Sequence, residues 1–156
     1  MKGNLALKRE GKYQRKRLMK KEIKVLVIKV MREAGWAPIG VLIFHWYAAH
    51  IGVLGKLDWL MHFLGGFSMA FFLYRSVVNG AYFLGELKSL TIYLFSFSLT
   101  CCVAVFWEFG EWASDIFLHT HVQKSISETM KDLLFGLLGA GLLLVFVCAF
   151  SLFRRK

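Results

Sequence analysis

Four long apolar runs separated by short polar stretches dominate the hydrophobic pattern of the chain. The runs cover residues 36–54, 57–74, 90–112 and 133–153. Each is close to the length of about 20 residues that an α-helix needs to cross the hydrocarbon core of a bilayer. Only Gly55 and Lys56 separate the first two runs, so we expect a tight hairpin there. The pattern predicts four membrane-spanning helices.

A different pattern occupies the residues before the first run. Residues 1–24 carry ten Lys and Arg against Glu10 and Glu22, and residues 18–31 place apolar side chains near helical spacing with lysines between them. A basic amphipathic helix of this kind lies on an anionic membrane surface. We therefore expect a basic tail with an interfacial helix over residues 1–32 and a single transmembrane domain over residues 33–156.

The composition favours the same class of protein. Hydrophobic residues make up 57% of the 156 residues, charged residues make up 19%, and the mean hydropathy is +0.53. A soluble globular protein of this size would need more charged residues on its surface, and a chain with so many apolar residues does not remain disordered in water. The net charge is +10, but the basic tail lacks a folded scaffold for nucleic acid, so we expect anionic lipid head groups as its partner.

The positions of the basic residues predict the orientation. With the tail in the cytoplasm, four spans return the basic residues 154–156 to the same side, where Arg75 and Lys88 flank the middle loop. The basic residues of the opposite loops are Lys56, Lys124 and Lys131. Because cytoplasmic loops carry the excess of Lys and Arg, we expect a multi-pass protein of the plasma or inner membrane with both termini cytoplasmic.

Ionisable residues near the ends of these runs are the candidate chemistry. Such a group costs about 2.5–3.5 kcal/mol at a helix centre on insertion scales, so its presence needs a reason. Residues three or four apart share a helix face, and three such sets occur: Asp58 with His62, Glu108 with Glu111 and Asp115, and Glu128 with Asp132. The topology brings all three sets to a similar depth near the outer side.

Small residues continue the same three faces toward the membrane centre. The face of Asp58 and His62 continues with Gly65, Gly66 and Met69. The face of Glu108 continues with Ala104, Cys101 and Thr100, and that of Asp132 with Gly136, Gly139 and Ala140. Small residues at these intervals mark close contact between helices in membranes. We therefore expect the six carboxylates and His62 to line one pocket that opens outward.

Six carboxylates that share a pocket repel one another unless cations or shared protons compensate them. We predict a divalent cation of unknown identity, because carboxylate oxygens and an imidazole are common ligands of such ions. The predicted metal ligands are His62, Glu108, Asp132, Asp58 and Asp115. The predicted catalytic residues are Glu111, as the general base, and Glu108. For Asp58, Asp115 and Glu128 the alternative is that they cap helix ends and pair with loop lysines.

Three motifs in residues 57–140 carry a resemblance to a known family. They are LDWLMHFLGGF, FWEFGEW and ETMKDLLFGLLGA, and they are similar to the signature of the YjdF-like family of small bacterial membrane proteins. By match, Asp58 and His62 fall on its D-x-x-x-H element, Glu108 and Glu111 on E-x-x-E-W, and Thr129 and Asp132 on D-T-x-x-D, although Glu128 replaces the usual Asp.

A looser resemblance links the same motifs to VanZ-like proteins. Trp59 stands where the VanZ-like pattern has Lys, and Gly136 stands where it has Asn. This second resemblance implies a place in the cell envelope and a lipid or wall precursor as the substrate.

The leading functional hypothesis is a metal-dependent hydrolase or transferase that acts on a lipid or envelope precursor. A transporter or a proton- or cation-handling protein is the first alternative, but the fourth run carries no charge beyond Asp132. A haem carrier would use His45 or His50 with His62 as axial ligands, and we rank it low because His45 and His50 lie on different faces. A structural partner subunit remains, and an oligomer is left open.

Overall fold

A computed structural model describes residues 2–154 of the chain, with the side chains of residues 14–81 and 83–154, and the described residues fold into helices joined by short turns. The elements are α1 (Lys2–Val30), a π-helical turn (Met31–Gly35), α2 (Trp36–His50), α3 (Leu54–Leu84), α4 (Ser89–Leu118) and α5 (Ile126–Phe153). The all-α fold class is confirmed. The predicted basic residues Arg155 and Lys156, and the side chains of residues 1–13, lie outside the described residues.

The turn between α2 and α3 lies a few residues earlier than the sequence predicts. The helix α2 ends at His50, and α3 begins at Leu54, so the predicted hairpin residues Gly55 and Lys56 are already helical. The chain reverses at Gly52, whose φ of +74° is a left-handed conformation that glycine adopts at little cost. The apolar run continues through this turn, which is why hydropathy alone does not locate it.

Two of the helices are long and apolar enough to cross a membrane by themselves, namely α4 and α5. The helix α2 has 15 residues, and a helix of that length is short of a bilayer core of about 30 Å. The helix α3 has 31 residues, but polar residues such as Asp58 and His62 lower its hydropathy. The described part of the chain is thus all-helical apart from its turns and contains two candidate spans.

The helix α3 is the centre of the bundle. It packs against α2, α4 and α5, and α4 also packs against α5. Side chains of α3 and α5 form the buried core, which consists of Ala70, Ala140, Leu143 and Leu144. We call the end of the bundle where α3 begins the His62 end, and the opposite end the Arg75 end.

The closest helix contact is the crossing of α3 and α5, as the small residues predict. A Cβ atom added to Gly66 would lie 1.9 Å from the carbonyl oxygen of Gly136, and one added to Gly139 would lie 2.0 Å from that of Phe63. Only glycine fits at these positions. A Cβ atom on Gly65 would meet nothing within 4 Å, so this neighbouring glycine does not serve the crossing.

The helix α2 is attached to the bundle through α3. Within the part of the chain that the structure describes, no Cα atom of α2 comes within 8 Å of a Cα atom of α4 or α5. A cleft therefore separates α2 from α4.

A hydrogen-bonded polar cluster joins the π-helical turn to α3 at the Arg75 end. The carboxylate oxygen Oε2 of Glu33 accepts hydrogen bonds from Arg75 at 2.5 Å and from the amide of Asn79 at 2.9 Å. The same amide donates to the carbonyl oxygen of Arg75 at 2.8 Å. We call Glu33, Arg75 and Asn79 the Glu33 cluster. Its members are too far apart along the sequence for residue spacing to predict it.

Candidate metal centre

Three helices bring one ionisable side chain each to the His62 end: His62 from α3, Glu108 from α4 and Asp132 from α5. The imidazole Nδ1 of His62 lies 3.6 Å from Oε1 of Glu108, and its Nε2 lies 3.8 Å from Oδ1 of Asp132. One ligand atom from each residue lies within 4.8 Å of the other two. We call these three residues the His62 group. The tight crossing at Gly66 and Gly136, one turn away, sets His62 opposite Asp132.

The His62 group is enclosed by the helices. The exposed fractions of its side chains are 12% for His62, 7% for Glu108 and 13% for Asp132. The oxygen Oε2 of Glu108 is buried and has no hydrogen-bond partner among the described residues. An unpaired buried polar atom costs about 1–3 kcal/mol, and more when it is charged. The described residues therefore leave this buried carboxylate oxygen without a partner.

The spacing within the group suits a cation better than direct hydrogen bonds. Separations of 3.6 and 3.8 Å exceed the usual 2.7–3.2 Å of an N–H···O hydrogen bond. Imidazole and carboxylate ligands bind ions such as Zn²⁺ at about 2.0–2.2 Å, so small side-chain movements would close the group around one ion. The His62 group can hold a metal ion.

A lysine compensates the charges at the rim but not those of the group itself. The ammonium of Lys124 lies 3.7 Å from Oδ2 of Asp58 and 3.7 Å from Oε2 of Glu128. The other oxygen of Asp58 lies 3.6 Å from Nε2 of His62. Asp58 thus stands between the His62 group and the rim. Because Lys124 is half exposed, its ion pairs are worth about 0–1 kcal/mol each.

Asp115 lies in the last turns of α4 and is hydrogen-bonded to the loop that follows, and it is not part of the His62 group. Its oxygens accept hydrogen bonds from the hydroxyl of Thr120 at 2.6 Å and from the backbone N–H groups of Val122 and Gln123 at 2.7 and 2.8 Å. The amide of Gln123 donates in turn to the carbonyl oxygen of Glu108 at 3.5 Å. Asp115 shapes the loop that covers the site.

Glu111 lies on the rim side of α4 rather than in the His62 group. Its oxygen Oε1 accepts a hydrogen bond of 2.8 Å from the indole of Trp107, and it lines a small polar recess with Asp58, Glu128 and Asp132. Glu108 lines a separate, larger cavity. The carboxylates therefore occupy two adjoining recesses that share Asp132, where the sequence predicted one pocket. Residues three apart share one face of a helix but are offset by about 60° around its axis, which places Glu108 and Glu111 at neighbouring recesses.

The larger recess is a cavity of about 160 Å³ that runs from the His62 group into the bundle. Helices α3, α4 and α5 each contribute to its lining, and α2 closes one side with Pro38, Val41, Leu42 and His45. The ring of His45 meets that of Trp107 edge-on with centroids 6.0 Å apart. Only one end of the cavity carries the ionisable group, and most of the remaining wall is apolar.

Comparison with known proteins identifies the family of the chain. The family described as "Predicted membrane protein (DUF2238)" matches residues 36–152. The chain belongs to this family. The matched range covers α2 to α5 and contains every predicted site residue.

The chain is also similar to an individual relative. It is an uncharacterized protein of Thermotoga maritima that is 31% identical over 100 residues, which are 64% of this chain and 48% of the relative. The chain thus spans about half the length of this relative. No solved structure matches the chain.

For this DUF2238 protein, sequence reasoning missed the contribution of α2. His45 was considered only as a haem ligand, whereas the structure places it at the cavity beside Trp107. Its position in an otherwise apolar run was the available signal. The structure instead places the ring of His50 against Trp46, with centroids 6.0 Å apart.

Proposed function

We propose that this DUF2238 protein binds one divalent cation through His62, Glu108 and Asp132 and uses it in hydrolysis or group transfer on a lipid or envelope precursor. The observation that carries the proposal is the buried, unpartnered oxygen of Glu108 inside a group of three potential ligand atoms. A cation would satisfy that oxygen and offset the repulsion between the two carboxylates. When bound, it would polarise a phosphoryl or acyl oxygen and lower the pKa of a coordinated water.

The side chains around the group have distinct roles in this proposal. Glu111, in the recess beside Asp132, takes the proton from the attacking water as the general base. The hydrogen bond from Trp107 orients its carboxylate. Asp58 lies beside His62 and holds the ring in place for the metal, while Lys124 draws an anionic head group toward the rim. A carboxylate beside a metal-binding histidine fixes the orientation of its ring.

We propose a topology of four spans with both termini in the cytoplasm and the His62 end at the outer face. Two features support this topology. The helix α3 is long enough to span, with 31 residues. The π-helical turn joins α2 to α1 without a break, which extends the helix beyond the 15 residues of α2. Reporter fusions test the topology: a fusion at Lys88 should read cytoplasmic and one at Lys124 external. A cytoplasmic reading at Lys124 would overturn the placement of the site.

The substrate class in this proposal comes from the resemblance of the three motifs to the YjdF-like and VanZ-like families. The DUF2238 match covers all three motifs, which supports the first resemblance. The second supplies the expectation of a lipid or wall precursor. We also propose that α1 binds anionic lipid head groups, since residues 14–25 are exposed and carry a net positive charge.

Elemental analysis tests the metal directly. The protein is purified in detergent without chelator, and the wild type should carry about one equivalent of a divalent metal for each chain. The variants His62→Ala and Glu108→Gln should lose it, because each removes a ligand. The matched control is Glu86→Gln, which changes an exposed carboxylate in the turn between α3 and α4 and should retain the metal.

Two results would contradict the metal proposal: no metal in the wild type, or equal metal in Glu108→Gln and the wild type. The first result would favour the alternative of a proton-handling protein. In that alternative the His62 group shares protons, and the cavity that continues to Thr100 and Met69 is part of their path.

A further inference from the structure

We infer that the cavity beside the His62 group is an acyl-chain slot, which a membrane phospholipid enters sideways between α2 and α4 with its head group at the His62 end. That this lipid is also the substrate rests on the proposed function. The slot itself stands on the observations that follow.

The first observation is the cleft between α2 and α4. These helices form opposite walls of the cavity, with Leu42 on one side and Val103 on the other, and none of their described Cα atoms approach within 8 Å. The ring contact between His45 and Trp107 bridges the cleft close to the His62 group. In the proposed topology α4 spans the bilayer, so a cleft along its side would face the acyl chains.

The second observation is the separation of polar and apolar lining. The ionisable side chains lie at one end, and small or aliphatic side chains such as Val41, Val103 and Ala104 line the rest. Two hydroxyl groups border the cavity, but Ser68 donates to the carbonyl oxygen of Gly65 at 3.1 Å and Thr100 donates to that of Ser96 at 2.8 Å. Their protons are already used, so the slot suits a molecule with one polar end and a hydrocarbon body.

The third observation is the size of the cavity. Its volume of about 160 Å³ is close to the ~150 Å³ of an engineered apolar cavity that binds benzene. A segment of one acyl chain fits such a space, and the lateral cleft lets the rest of the lipid stay in the bilayer. The space beside Gly65 is open, since a Cβ atom there would meet nothing within 4 Å.

Photolabelling tests the slot. The protein is placed in vesicles of phosphatidylethanolamine and phosphatidylglycerol that contain phosphatidylglycerol with a diazirine in one acyl chain. In the wild type we expect labelled peptides to include slot residues of α2 and α4, such as Val41 and Val103. Gly65→Leu fills the slot and should reduce this labelling about tenfold, the scale of one steric clash in a packed space.

Gly141→Leu is the matched control, because a Cβ atom at Gly141 also meets nothing within 4 Å and Gly141 is not among the residues that line the cavity. It should leave the labelling of slot residues unchanged. A second slot variant, Val103→Trp, narrows the cavity from α4 and should act like Gly65→Leu. The thermal midpoint of each variant in detergent checks its folding.

Metal content measured on the same samples separates the two proposals. Loss of slot labelling in a folded, metal-loaded Gly65→Leu protein supports both. Labelling of the slot in a wild type without metal supports the slot and contradicts the proposed function. Equal labelling of wild type, Gly65→Leu and Val103→Trp would overturn the slot, as would wild-type labelling confined to exposed side chains such as Phe106 and Phe146.

Discussion

Each end of the bundle carries a cluster of three polar residues, and the two clusters differ in the partners that their carboxylates have. At the Arg75 end, Glu33 receives hydrogen bonds from Arg75 and Asn79, and its backbone oxygen accepts another from Trp36 at 3.1 Å. At the His62 end, Glu108 keeps a buried oxygen with no partner among the described side chains and backbone groups. Each cluster joins helices that are distant in sequence.

In our proposal this difference distinguishes a structural cluster, at the Arg75 end, from a ligand-binding one at the His62 end. A polar network whose members are all satisfied stabilises one arrangement of its helices, whereas an unsatisfied network costs free energy until a ligand completes it. The Glu33 cluster, whose carboxylate already has two side-chain donors, fixes the π-helical turn against α3. The His62 group is held in place by the glycine crossing, and in our proposal a cation supplies the missing partner.

The largest expected effect comes from breaking the helix crossing that assembles the His62 group. Gly66→Ala places a methyl group within 1.9 Å of a backbone oxygen, so the helices must separate. We expect the free energy of unfolding to fall by about 1–3 kcal/mol or more. Thermal unfolding in detergent measures it, with the adjacent Gly65→Ala as a control that should be nearly neutral. Equal stability of the two variants would contradict the crossing.

Removing one carboxylate from each cluster should change the stability of the metal-free protein in opposite directions. In chelator, Glu108→Gln should raise the free energy of unfolding by about 1 kcal/mol, because an unpaired buried charge is removed. Glu33→Gln should lower the thermal midpoint, because it weakens the hydrogen bonds from Arg75 and Asn79. Shifts of the same sign in both variants would remove the distinction between the clusters.

Asp115 offers a test of the boundary of the His62 group. Asp115→Ala removes the acceptor for the N–H groups of Val122 and Gln123, so amide hydrogen exchange at these two residues should accelerate. The metal content should stay at the wild-type level, since the carboxylate does not reach the group. Loss of metal with unchanged exchange would instead support the role of metal ligand that the sequence predicted for Asp115.

The smallest expected effect is a pH dependence at the Arg75 end. The hydrogen bonds from Arg75 and then Asn79 hold the pKa of Glu33 below its usual value. A carboxylate with a lowered folded-state pKa contributes its stability above the unfolded-state pKa and loses it as the pH falls through the folded-state value. The difference in thermal midpoint between wild type and Glu33→Gln should therefore shrink on acidification. A difference independent of pH would contradict this assignment.

Local spacing predicted the parts of the structure that depend on one helix at a time. The faces carrying Gly66, Gly136 and Gly139 were recognised because glycine at a helix contact has one physical purpose. The shared depth of His62, Glu108 and Asp132 followed from helical rise and the order of the helices. Both predictions needed no knowledge of side-chain direction across the bundle.

Contacts between distant residues were beyond the reach of spacing. Glu33 and Arg75 are 42 residues apart, and nothing in their local sequence links them. The role of Asp115 depends on how the following loop folds back, and the separation of Glu111 from Glu108 depends on which neighbour each side of α4 meets. The position of α2 at the cavity likewise depends on how α2 packs against α3, which the sequence pattern does not show.

The most direct test of the metal centre is the thermal midpoint in detergent with and without chelator, for wild type and Glu108→Gln. A cation at one hundred times its dissociation constant stabilises the folded protein by about 2.7 kcal/mol. Chelator should therefore lower the midpoint of the wild type and leave that of Glu108→Gln unchanged. If chelator changes neither midpoint, the His62 group does not hold a stabilising cation, and the account of this end of the molecule is wrong.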